Sequence, residues 1–468
     1  MLFSSIPFVF VFLPISLIGF FAISTIAGPK ARLWWLAACS LLFYGYWRID
    51  YLPILVGSVA VNHVLARIVQ SLIAQNTMRK RRAFMALLAG ITLNLVLLGY
   101  FKYTDFSIET FNAVTGFSVP TLNLVLPLAI SFFTFQQITY LVDSYKGYIK
   151  RSDFLDYLVF VTFFPQLIAG PIVHHKEMMP QFQARFFGFV RWKFLLKGAM
   201  VFSIGLFKKI VIADHFATYA DLGYASAEAL TMAQAWITTL SYTFQLYFDF
   251  SGYSDMAIGA ALMFGVRLPF NFFSPYKATS VRDFWRRWHM SLSRFLRDYV
   301  YIPLGGSRQG EARVATNLMT TFVLGGLWHG AGWTFIVWGA IHGTALIAER
   351  GLSKLRVPLP RVLKWAMTFL IVHLGWVFFR SADLAQATQM LSAMFGGAAE
   401  GTGIIASKNA ARNELLLAFV AVLFFPNSIE LTRNINALWK TVAAGLLFGF
   451  ACIAMVASRS EVFLYFNF

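Results

Sequence analysis

Apolar runs follow one another along nearly the whole chain, and they constrain its fold more than any motif does. A helix that crosses a bilayer needs about 20 predominantly apolar residues. Apolar stretches occupy residues 8–26, 33–47, 52–66, 84–101, 119–142, 158–173, 230–250, 318–347, 365–379, 415–425 and 442–456. Some are short or interrupted by Gly or Pro, and others are long enough for two elements. Soluble domains are about 25% charged, whereas this chain is 58% hydrophobic and 13% charged, with 50 Phe. In hydrocarbon every backbone N–H and C=O must be satisfied internally, which leaves helices as the spanning element for runs of this length. The expectation is an all-α polytopic membrane protein of about 10 to 13 transmembrane and re-entrant helices.

The first basic residue is Lys30. A secretory signal opens with a positive segment, so the first apolar run is read as a retained helix. Lys30 and Arg32, then Arg79–Arg82, then Lys146, Lys150 and Arg151 follow the first, third and fifth runs. The positive-inside rule places these clusters in the cytoplasm and the N-terminus outside. The net charge of +18 therefore serves orientation and anionic lipid, not nucleic acid. Cys39 and Cys452 stand far apart in apolar stretches, which argues against a thiolate metal site. His174 and His175 are adjacent and diverge on a helix, and no HExxH occurs, so no metal is expected. No linker, repeat or soluble window of about 100 residues breaks the chain. Residues 1–468 are read as one membrane domain, with a loop at 396–413.

Two histidines stand out because an intramembrane ionisable group is a functional candidate by default. The first, His289, lies in the most amphipathic stretch, residues 279–301. At about 100° per residue, Phe284, Trp285, Trp288, Leu292, Phe295, Leu296 and Tyr299 fall on one arc. Arg282, Arg286, Arg287, Arg294 and Arg297 fall on the opposite arc, with His289 at the edge. An interfacial helix with its arginines toward headgroups and cytosol is expected. Seven Arg against three acids between Arg282 and Arg313, a net of +4, agree with a cytoplasmic face. Beyond a lipid anchor, such a face suits the phosphates of a coenzyme A thioester or an acidic carrier protein. Guanidinium forks, here those of Arg286 and Arg287, match phosphate. Trp285 and Trp328 are the candidate aromatic borders for the acyl thioester.

The second, His329, sits in GGLWHG. Six glycines (Gly325, Gly326, Gly330, Gly332, Gly339 and Gly343) surround it, interleaved with Trp328, Trp333 and Trp338. Glycines allow close helix approach, and here they also promise room beside the imidazole. An imidazole takes a proton from a hydroxyl as the oxygen attacks an acyl carbon. Neither histidine has a Ser or Cys nucleophile beside it, and no GxSxG occurs near them, so a direct base is simpler than a covalent enzyme. The alternatives are an ordinary interfacial anchor in which His289 merely fills a boundary position, and a tight helix-packing segment in which His329 is satisfied by a neighbouring carbonyl.

Several segments together carry a family likeness: Gln245–Met256 (QLYFDFSGYSDM), Leu126–Phe132 (LPLAISF), Phe164–Pro171 (FPQLIAGP), the WRRWH run ending at His289, and GGLWHG. They resemble the membrane-bound O-acyltransferase family, in particular its bacterial alginate/polysaccharide O-acetyltransferase branch, from residue 1 to about 380. The resemblance implies a ring of tilted helices around a thin centre, His329 as the catalytic histidine and His289 as its partner. It also implies acetyl-CoA as cytoplasmic donor with no bound cofactor, and a periplasmic or membrane-anchored transferase that completes delivery to a secreted or cell-wall polysaccharide. The location it implies is the bacterial inner membrane. Asp249 and Asp255 of the first motif are read as structural partners. Residues 173–180 depart from an alginate-type pattern. D-alanyl transfer from a carrier protein to teichoic acid is the rival chemistry. A lipid-linked sugar transporter is the rival class, which predicts two related halves that the sequence does not display.

Overall fold

A computed structural model describes residues 1–75, 80–150, 153–184, 187–354, 358–397, 408–434, 437–457 and 464. Among these residues there are helices and connecting segments and no strand, as the apolar runs require. Among the described residues five helices are long and apolar enough to cross a membrane: Phe8–Ile26, Ile49–Ala74, Lys80–Thr115, Arg361–Arg380 and Leu438–Ala457. Their apolar residues mostly point outward. Only 22% of the Phe8–Ile26 window and 17% of the Leu438–Ala457 window is buried, and Ile18, Leu446 and Ile453 are exposed. An outward apolar face of that extent is stable against hydrocarbon and unstable against water. Run 230–250 lies in the long, mostly buried helix Met232–Met263, and several of the other runs are divided between elements. Residues 318–347 divide between Gly310–His329 and Trp333–Lys354, and residues 158–173 include the short helices Phe154–Thr162 and Phe164–Leu167. The expected loop at 396–413 lies largely outside the described residues, and helix Lys408–Phe424 begins within it.

The chain divides into two compact units, one mainly of residues 1–203 and 253–269, the other mainly of 204–252 and 270–464. In the first unit, polar side chains join helices that have no hydrophobic reason to associate in lipid. Asn62 and Asn94 bond reciprocally at 2.6 and 3.3 Å, and Gln70 donates to Ser144 at 3.0 Å. The first half of run 119–142 is not helical. Asp105 explains how it is held: its carboxylate accepts the N–H groups of Leu122 and Leu124 at 2.7 and 2.9 Å. Phe12, Phe43 and Phe164 pack edge-on or tilted at 5.1–5.6 Å, placing the FPQLIAGP motif in this unit's core.

In the second unit, Gly310–His329 packs against Trp333–Lys354 at very short range. A Cβ at Gly326 would collide with the Phe335 carbonyl oxygen, and one at Gly339 with that of Phe322. Behind this pair the buried rings of Trp288, Trp338 and Trp376 form the core, with Trp338 and Trp376 stacked at 5.9 Å.

Candidate active site

The expected single interfacial helix at 279–301 is not what forms. Ser280 caps a five-residue helix, Val281–Trp285, by accepting the Asp283 N–H at 3.0 Å. The chain then turns through Arg286–His289 and restarts as Met290–Leu296, ending in a wider π-helical turn at Arg297–Tyr301. His289 itself is left-handed, φ 42° and ψ 53°. Asn271 fixes the restart: its carbonyl accepts the Met290 N–H at 3.0 Å, and its side-chain oxygen accepts the Ser291 hydroxyl at 2.6 Å. The Phe273 N–H closes on the Arg287 carbonyl at 2.9 Å. These bonds replace the helical ladder that the amphipathic pattern predicts.

The break moves His289 from the expected boundary position to complete burial, 0% exposed. Its ring meets Phe250 edge-on at 4.8 Å and lies 6.3 Å from the His329 ring. Among the described residues neither nitrogen of His289 has a hydrogen-bond partner. His329, the last residue of its helix, is also buried. The room expected beside it is filled by Trp338 at 5.1 Å and Phe379 at 5.2 Å. A Cβ at Gly330 would strike the Phe335 ring, so this glycine admits an aromatic neighbour, and Gly326 and Gly339 serve helix contact. Forty residues apart in sequence, the two histidines share one aromatic chamber.

The break also brings the two arcs of the predicted wheel together. A cavity of about 500 Å³ is lined by Arg282, Arg286, Arg294 and Arg297 and by Trp285, Met290 and Phe322, among others. Tryptophan and arginines that a continuous helix would place on opposite faces therefore border one space. Ring contacts run from its wall inward, Trp285 to Trp338 at 5.7 Å and Trp338 to His329 at 5.1 Å. Of the predicted binding residues, Trp285 and Arg286 line the cavity and Arg287 and Trp328 do not. Arg287 is engaged by Asp283 at 2.9 Å and the Phe273 carbonyl at 3.4 Å. Trp328 is buried against both histidines, 6.1 Å from His289 and 4.9 Å from His329. Between helices Gly310–His329 and Trp333–Lys354, Arg350 and then Lys354 hold the exposed Glu311 carboxyl down to about 2 through hydrogen bonds at 2.8 and 3.1 Å.

Sequence reasoning missed Asn271 and His342. Asn271 has no signal short of the tertiary fold. His342 stands between Gly339 and Gly343, a spacing that marks a closely approached helix face. Asp249, read as structural, is buried beside Lys209 at 2.9 Å, and Lys209 donates to Asp214 at 2.6 Å.

The chain is similar to several known bacterial proteins. A peptidoglycan O-acetyltransferase of Helicobacter pylori is 44% identical over all of this chain and 98% of its own length. A probable alginate O-acetylase of Pseudomonas putida is 38% identical over the full length of both. A teichoic acid D-alanyltransferase of Bacillus subtilis is 28% identical over 50% of this chain and 62% of its own. The family profile matches residues 85–379, a span that holds the broken helix, both histidines and the arginine-lined cavity. This multi-pass membrane protein belongs to the membrane-bound O-acyltransferase family.

Proposed function

We propose that the chain is an inner-membrane O-acetyltransferase that moves an acetyl group from a cytoplasmic thioester, acetyl-CoA, to hydroxyls of a secreted or cell-wall polysaccharide. Peptidoglycan comes before alginate as acceptor class, because the peptidoglycan-acetylating relative aligns end to end at the higher identity. Delivery to the glycan is assigned to a separate periplasmic or membrane-anchored transferase.

The observation that carries the reading is the buried pair, His289 and His329, with ring centres 6.3 Å apart. Buried polar atoms are normally satisfied, and the two nitrogens of His289 find no partner among the described residues. A bound acyl or hydroxyl group supplies one. In this reading His329 takes the proton of the accepting hydroxyl as its oxygen bonds the acetyl carbon. The carbon–sulfur bond then breaks, and the coenzyme A thiolate leaves and is reprotonated. His289 orients the reacting groups or donates to the developing oxyanion. Arg286 and its neighbours in the cavity wall hold the donor phosphates, since guanidinium forks bind phosphate with charge-assisted hydrogen bonds; Arg297 already shares its guanidinium with Asp298 at 2.7 Å.

Membranes that hold the partner transferase together with either the wild-type protein or His329→Ala, supplied with labelled acetyl-CoA and glycan acceptor, test this. The variant is expected to insert at wild-type levels and transfer no label. Transfer at the wild-type rate would rule out His329 as base. Labelling from a D-alanyl carrier protein in place of acetyl-CoA would move the assignment to D-alanyl transfer.

A further inference from the structure

We infer that His342 is a positioning residue for the donor side of the site, holding the Trp285 indole in the wall of the arginine-lined cavity. This rests on the reading of that cavity as the thioester site. His342 belongs to helix Trp333–Lys354, is 0% exposed, and does not line the cavity. The Trp285 indole N–H donates to its Nδ1 at 3.3 Å, with the two rings edge-on at 5.1 Å. Phe322, which touches Trp285 at 5.0 Å, and Leu346, one turn beyond His342, complete the same wall.

Aromatic rings close around the imidazole, and its Nε2 finds no hydrogen-bond partner among the described residues. Phe284 stacks parallel to it at 6.3 Å and Trp338 meets it edge-on at 5.0 Å. Its Nε2 faces Gly375, where an added Cβ would come within 3.2 Å. Only an unprotonated nitrogen accepts a hydrogen bond, so the tautomer bound to Trp285 carries its proton on Nε2. A core histidine kept only for its volume would not need a fixed tautomer. Here the tautomer sets the rotation of an indole that forms the cavity wall. The same imidazole touches Trp338, whose other edge packs on His329 at 5.1 Å. One buried side chain thus braces both the donor wall and the ring beside the proposed base.

Two amides separate positioning from packing. In His342→Asn the amide oxygen sits near the Nδ1 position and accepts from Trp285. In His342→Gln it sits near the Nε2 position, out of reach. Detergent-purified protein is titrated with a thioether analogue of acetyl-CoA and assayed for KM and kcat. His342→Gln is expected to weaken analogue binding and raise the acetyl-CoA KM by about 3- to 10-fold, the size of one neutral hydrogen bond. His342→Asn is expected to recover to within about two-fold. Trp285→Phe is expected to reproduce the His342→Gln effect, with no further loss in the double variant. Equal losses in the two amides, multiplying losses in the double variant, or losses that appear only with a lowered melting temperature would each overturn the inference. Wild-type protein that fails to bind the analogue would instead overturn the cavity reading.

Discussion

At the scale of single residues, backbone conformation decides what His289 does. A non-glycine residue in the left-handed region costs about 1–2 kcal/mol, and Asn and His are among the side chains found there most readily. His289→Asn is therefore expected to fold with a near-wild-type melting temperature and lose transfer by about 100-fold or more, the scale of a lost transition-state donor. Activity assayed beside thermal unfolding separates the two effects. The adjacent arginines provide a sharper contrast. Arg286 faces the cavity, while Arg287 is spent on Asp283. Arg286→Ala is expected to raise the acetyl-CoA KM by about 10-fold, as for a charge-assisted contact. Arg287→Ala is expected to stay within about two-fold, because partly exposed pairs contribute little. Steady-state kinetics on the two variants checks both, and equal effects would remove the cavity as donor site. The sequence offers no means of telling these neighbours apart, since the distinction depends on where a helix breaks.

At the scale of elements, the glycines around His329 are helix-packing devices. Gly326 and Gly339 face backbone carbonyls too near for any Cβ, whereas an added Cβ at Gly332 meets only ordinary contact at 3.5 Å. Gly339→Ala is expected to cost about 1–3 kcal/mol, the range for overpacking, and to lower the melting temperature measurably. Gly332→Ala is expected to leave it nearly unchanged. A melting curve that ranks the two in the opposite order would contradict the packing. Glycine density was legible as a mark of close approach. The filling of the chamber by Phe335 and Phe379 was not, because those rings come from other helical turns. The exposed link from Glu311 to Arg350 and Lys354 has a calculable sign. Its carboxyl is depressed to about 2, so the link is complete above the ordinary carboxylate range and is lost as pH falls toward 2.

At the scale of the whole chain, buried charge marks where the fold is least tolerant. Lys209, Asp249 and Asp214 form a connected group, with Lys209 and Asp249 side chains 3% and 1% exposed. Removing one partner of a buried pair leaves an uncompensated charge and costs about 3–5 kcal/mol. Lys209→Met is expected to lower the yield of folded protein from membranes sharply. Adding Asp249→Asn to Lys209→Met is expected to recover part of it, and two losses that simply add would show that the groups do not interact. The motif around Asp249 was visible in the sequence, but Lys209, forty residues earlier, was not visible as its partner.

The sequence by itself determined the solvent, the all-helical class and the family, and it singled out two candidate histidines. Those follow from composition and local order, which a chain carries without folding, because apolar runs of this length satisfy their backbone groups in hydrocarbon as helices. Tertiary structure decided that the helix carrying His289 breaks. It also decided that tryptophan and arginine share one cavity, and that a third histidine, His342, holds its wall. Helical periodicity fixes a side chain's direction only while the helix continues. At Arg286–His289 the bonds from Asn271 and Phe273, distant in the ladder and near in space, outweigh it.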